Sequence, residues 1–239
     1  MWSNGRSETA ALEAALPVPI EIRPLRSAKR LRLRFDDRAG ILKLTCPART
    51  SRRAALAWAL DQSDWIATQL RRSPAKIPLA DGAVIPVEGR DTRLEWVEGA
   101  SRHPELSSEA LRCGGPLTSF PRRIQAFLKQ LALETMSRDV EHYAAIAGVT
   151  VASVTVGDAA SRWGSCSSAG RIRLSWRLIM APAEVRRFVV AHEVAHRVHL
   201  NHGPGFKALE ARLVGPGLAA AKAELRRSGP LLRRIGGLV

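Results

Sequence analysis

Cysteine is scarce in this 239-residue chain: Cys46, Cys113 and Cys166 are odd in number and scattered. That argues against a disulfide framework and against a cysteine-built zinc ribbon, and it leaves reduced thiols as the expectation. Aromatic residues make up only 5%, with Tyr143 the single tyrosine, and they are not interleaved with the basic residues as a stacking platform for bases requires. No window approaches the roughly 18 uncharged apolar residues of a membrane span, and residues 1–16 hold no basic start followed by a long apolar segment. A cytoplasmic protein with no membrane partner is the expectation. Acidic residues number 22 against 37 basic ones, for a net charge of +15, and lysine is rare: six lysines leave 31 arginines. Arginine forks match phosphate oxygens, so nucleic acid is a possible partner. The basic residues are nevertheless spread along the chain, and solvated faces with a bias toward arginine account for them.

The strongest signal present is His192-Glu193-Val194-Ala195-His196. Residues four apart lie on one face of an α-helix, so His192 and His196 aim two imidazoles at a single point suited to zinc. Glu193 lies about 100° further round the helix, where its carboxylate reaches a metal-bound water without being a ligand. It is the candidate general base. Before the motif, Pro182 fits a first-turn position and Val185, Phe188, Val189 and His192 fall on helical spacing. A catalytic zinc site usually has three protein ligands, and His202, beyond an expected helix end at Asn201 and before the Gly203-Pro204-Gly205 turn, supplies the third. His199 shares the face of the other two, but three ligands from one straight helix splay apart along its axis, which favours His202.

The rest of the chain reads as α+β. Residues 1–19 read as a loose terminus. Residues 20–23, 31–35 and 41–46 alternate apolar and polar as strands, the last two forming a hairpin, with Arg30, Arg32 and Arg34 on its wet face. One helix is expected from a Thr50 or Ser51 cap to Ser73-Pro74, with Trp58 and Trp65 on one face in the core. Short strands follow at 83–87, 92–97 and 109–113, and Gly114-Gly115-Pro116 marks a break. This divides the chain into a sheet-rich part, 20–115, and a helical catalytic part, 116–239. The second opens on a long helix over 120–147 that carries His142 and Tyr143. Tyr143 is a candidate for holding an oxyanion, although a lone helical tyrosine is usually packed. Strands at 149–156 and 171–176 flank a small-residue loop and read as a hairpin whose free edge pairs with extended substrate. Helices at 206–214 and 218–227 complete the chain.

Ser161-Arg162-Trp163-Gly164-Ser165-Cys166-Ser167, Arg171-Ile172-Arg173-Leu174, Ala181-Pro182, the His192 to His196 motif, and Asn201-His202 followed by Phe206 together resemble the YgjP-like metal-dependent hydrolases. These are zinc metallopeptidases by inference, akin to SprT-like and minimal gluzincin-type zincins. The resemblance spans about residues 20–235 as one family domain, so it joins the two parts. It implies His192, His196 and His202 as zinc ligands and Glu193 as the catalytic residue. It also implies that Arg162, Trp163, Gly164 and Ser165 border the active site and bind substrate. Lys207 stands where the family usually has Trp, and Ser175 where it usually has Asn, which bears on substrate contacts. The expected activity is zinc-dependent hydrolysis of a peptide or protein. Hydrolysis of nucleoside triphosphates to release pyrophosphate is a rival, since it is also attributed to family members and the arginine excess suits it. A zinc-stabilised binding module for nucleic acid or a partner protein is the non-catalytic alternative.

Overall fold

A computed structural model of the chain describes residues 4–36, 39–72, 76–159 and 162–236. Asp37 and Arg38 of the expected hairpin link, the Ser73-Pro74 helix stop and Ser161 of the loop motif lie outside these residues. The architecture is α+β, with three small sheets and seven α-helices among the described residues. No helix there is long and apolar enough to cross a membrane.

Main-chain contacts separate residues 1–75 from 76–239. The first unit begins with α1 (Asn4–Ala14), where the sequence suggested only a loose terminus. Its sheet comprises β1 (Ile20–Leu25), β2 (Arg32–Asp36) and β3 (Ile41–Pro47) in the order β1-β3-β2, with β1 parallel and β2 antiparallel to β3. Alternation along β3 buries Leu42, Leu44 and Cys46 and leaves Lys43 and Thr45 on the wetter face. The expected single helix is two, α2 (Arg52–Leu60) and α3 (Ser63–Arg72). The Ser51 hydroxyl caps α2 by accepting from the Ala54 N–H. Asp61-Gln62-Ser63-Asp64 is a wholly polar run whose side chains compete with the helical ladder, and Asp64 suits a new first turn. Trp58 and Trp65 therefore do not share one helix face. Trp58 packs against the core of this unit, whereas Trp65 is 38% exposed.

The second unit holds the remaining elements. β4 (Val84–Val87), β5 (Arg90–Trp96), β6 (Glu105–Leu106) and β7 (Ala110–Cys113) form a sheet in the order β4-β5-β7-β6. Leu94, Leu111 and Cys113 of that sheet share one core with Phe120, Ile124 and Leu128 of the long helix α4 (Phe120–Ala147). The Gly114-Gly115-Pro116 break is thus a turn inside this unit. Gly148, at φ 68°, ends α4 in the left-handed conformation that glycine adopts without a Cβ clash.

A third sheet, of β8 (Ser153–Gly157), β9 (Gly164–Cys166) and β10 (Arg171–Ser175), has the order β8-β10-β9. The strand expected over 149–156 is β8, but it runs parallel to β10 and does not form a hairpin with it. The hairpin is β9–β10, and among the described residues β9 is an edge strand. Arg177 follows β10 and is 1% exposed. It binds both carboxylate oxygens of Asp158, at 3.0 and 3.3 Å, and donates to the main-chain carbonyls of Leu232 and Ile235. The loop after β8 is thereby tied to the chain's last helix. Arg177→Met strips a guanidinium from these groups and is expected to destabilise the protein by about 3–5 kcal/mol in urea unfolding.

Helices α5 (Ala183–Ala195), α6 (Pro204–Val214) and α7 (Leu218–Leu232) complete the unit. The start of α5 is anchored by Arg186, which is buried and bonded to Asp139 of α4 at 2.8 Å and to Glu88 at 2.9 Å. The helix ends at Ala195, six residues before the expected end at Asn201. Bonds from Arg197 N–H to Val194 O and from Val198 N–H to Ala195 O tighten the chain into a turn. Val198 and Leu200, 45% and 65% exposed, have no buried face with which to continue the helix.

Candidate active site

His192 lies in the last turn of α5, Glu193 follows it, and His196 is the C-cap residue. The tightened turn brings the chain back so that His202, just before α6, faces the other two. Ligand nitrogens of His192, His196 and His202 lie within 4.8 Å of one another. His192 Nε2 and His202 Nε2 are 3.2 Å apart. Two nitrogens bound to one tetrahedral zinc at about 2.0–2.1 Å are separated by roughly 3.3 Å. Phe206 in the first turn of α6 packs its ring against all three imidazoles, with centroid distances of 5.0, 4.6 and 4.6 Å.

The partners of the imidazoles decide which nitrogens carry protons. His192 Nδ1 lies 2.7 Å from Glu210 Oε1, and Lys222 Nζ donates to Glu210 Oε2 at 2.6 Å. Burial pushes the Glu210 carboxyl up, but the hydrogen bonds from Lys222 and His192 outweigh it and hold the group below the usual glutamate range, so it is ionised. An ionised carboxylate only accepts, so His192 Nδ1–H donates to it and Nε2 is the ring nitrogen left to face a metal. His196 Nδ1 faces the His199 carbonyl at 3.0 Å, which fixes the same tautomer. Burial also lowers the His196 pKa, with the neighbouring histidines adding to it, and keeps the ring neutral. Two Nε2 atoms thus converge with a third imidazole on one point, a donor set that fits a divalent cation.

Glu193 is 5% exposed. Burial pushes its pKa up to about 7, and the positive charge of Arg162 opposes the rise. Above it runs β9: a Cβ built on Gly164 would stand 2.5 Å from Glu193 Oε1, so only glycine lets the strand pass this close. The structure therefore brings Arg162 and Gly164 to Glu193. Ser165 is the next residue of β9, whereas Trp163 turns toward α7, with its ring under the Arg233 guanidinium at 4.6 Å and against Gly229.

Tyr143 is buried in the main core and burial raises its pKa, with Arg187 and Arg186 of α5 opposing the rise and Asp139 of α4 adding to it. His199 offers its carbonyl to His196, and its ring packs against Gly205. Glu210 and Lys222 were missed in the sequence. The signal for Glu210 was a charged residue on the apolar face of a helix, since the buried positions of α6 are Phe206, Leu209, Glu210 and Leu213. Glu210→Gln, which removes the charge that holds the His192 tautomer, is expected to weaken metal binding by about 10–100-fold in a chelator competition.

Three imidazoles facing one point beside a buried carboxylate, on an α+β scaffold, define a protein able to hold a metal ion next to an acid–base group. A family model described as YgjP-like, metallopeptidase domain, matches residues 29–228, and the chain belongs to that family. No curated protein and no solved structure matches it.

Proposed function

We propose that the protein is a zinc-dependent metallopeptidase of the zincin type, with His192, His196 and His202 as the metal ligands and Glu193 as the general base. The observation that carries this reading is the convergence of the three imidazoles within 4.8 Å, next in sequence to a carboxyl that is buried rather than solvated. A zinc ion there supplies Lewis acidity, polarising a scissile carbonyl and acidifying water.

Glu193 performs the proton transfers. A carboxyl with a pKa of about 7 accepts a proton from water and returns it to a leaving amine at neutral pH with little loss in either direction. Lys222 and Glu210 hold the His192 ring in place, and Phe206 closes one side of the cluster to water. The edge of β9, unpaired among the described residues, offers main-chain groups to an extended peptide passing over Glu193. A merely structural metal has no use for this buried acid–base group, and three protein ligands leave a tetrahedral ion one position for water.

The test is to load the pure protein with zinc and incubate it separately with an unfolded protein and with nucleoside triphosphates. Cleavage of the polypeptide with one equivalent of metal per chain is expected. Turnover of the nucleotide alone would transfer the site to pyrophosphate release, and metal binding with no turnover of either would leave a binding module.

A further inference from the structure

We infer that the cavity beside the start of β9 is a subsite for a carboxylate carried by a peptide substrate, with Arg162 and Arg173 as the cations that recognise it. The inference rests on the peptidase reading above and names the chemistry of the side chain that such a substrate would present.

The cavity measures about 220 Å3, and Asp158, Arg162, Ser165, Arg173 and Ser175 are among its lining residues. Strand register sets its position. Arg173 of β10 stands opposite Ser165 of β9 on one side and Thr155 of β8 on the other. Residues opposite each other share a sheet face, and along β10 Arg171 and Arg173 are exposed while Ile172 and Leu174 are buried. Gly164 turns the other way, to Glu193. An extended peptide laid along β9 therefore sends one side chain toward the Glu193 face and the next over Ser165 toward the cavity. The small Ser165 side chain leaves that way open. Gly157 does the same at the far side, where any side chain would run into the Arg173 guanidinium.

Charge selects the occupant. Neither Arg162 nor Arg173 makes a hydrogen bond or an ion pair among the described residues. Asp158, the acidic residue in the lining, is already bound through both oxygens by the buried Arg177. Two arginines thus line the cavity without a hydrogen-bonded or ion-paired partner of their own, and a planar carboxylate fits the fork of either one. The volume is below the roughly 300 Å3 at which pockets begin to enclose whole small ligands, so it takes a side chain or chain terminus rather than a nucleotide.

The test uses the zinc-loaded full chain and quenched fluorescent peptides in which each position near the scissile bond is Glu, Gln or Lys, with the C-terminus free or amidated. At one position Glu is expected to exceed Gln in kcat/KM by about tenfold, with Lys poorest, and Arg173→Glu is expected to reverse the order of Glu and Lys. Indifference to amidation assigns the carboxylate to a side chain; loss on amidation assigns it to the chain terminus. Cleavage without any charge preference, or with the same preference in Arg173→Glu, overturns the proposal. If no peptide is cut, the peptidase reading fails and binding to the Glu193→Gln protein decides the subsite. Tighter binding of the Glu peptide than of the Gln peptide, lost when Arg173→Glu is added, supports it. Equal binding, or Arg173-dependent displacement of the peptide by a nucleoside triphosphate, overturns it.

Discussion

Glu193→Gln is expected to lower kcat/KM of the zinc-loaded protein by about a thousandfold, with its metal content unchanged. The amide fills the same space and cannot take a proton, so the loss isolates the base from the metal. Activity within a few-fold of the parent would remove Glu193 from the mechanism. The same substitution tests the burial that tunes the group. In the metal-free protein the Glu193 carboxyl is held above its ordinary value, up to about 7 from 4.5, so the native chain binds this proton more tightly than the unfolded chain does. That linkage stabilises the fold fully below about pH 4.5 and is lost as the pH rises to about 7. A glutamine cannot ionise and escapes the loss. Chelator-treated Glu193→Gln is therefore expected to match the parent at pH 4 and to exceed it at pH 8 by about 3 kcal/mol in urea unfolding. Equal stabilities at pH 8 would mean that the carboxylate is solvated.

His202→Ala is expected to release the metal. His192 and His196 alone, from one helix end, give a two-ligand site. Losing a direct ligand costs more than losing an outer partner such as Glu210, so affinity is expected to fall by at least about a hundredfold. His202 is exposed and makes its described contacts within the cluster, so the metal-free fold is expected to survive the change. His199→Ala is the matched control. What His199 gives His196 is a main-chain carbonyl, which alanine retains, and metal content after dialysis is expected to stay at the parent's level. Stoichiometric zinc in His202→Ala, with loss in His199→Ala, would exchange the two roles.

The sequence by itself determined the features that depend on neighbours a few residues apart. A spacing of four puts His192 and His196 on one side of a helix whatever that helix packs against. Period-two alternation marked β2 and β3, the apolar spacing from Phe120 to Ala147 marked α4, and the local Arg162 to Ser165 signature helped carry the family resemblance. Only the tertiary structure decided the rest, because those features depend on elements distant in the chain. The helix was legible from its pattern, but its end at Ala195 follows from the lack of a buried face for Val198 and Leu200. A parallel partner for β10 cannot be told from an antiparallel one by alternation, which is why β8 was misread as half of a hairpin. Glu210 and Lys222 act on His192 from two later helices, and Gly164 takes its meaning from the carboxylate 29 positions on. Local periodicity names the residues that can do chemistry; packing across the chain sets their protons, their burial and their distances.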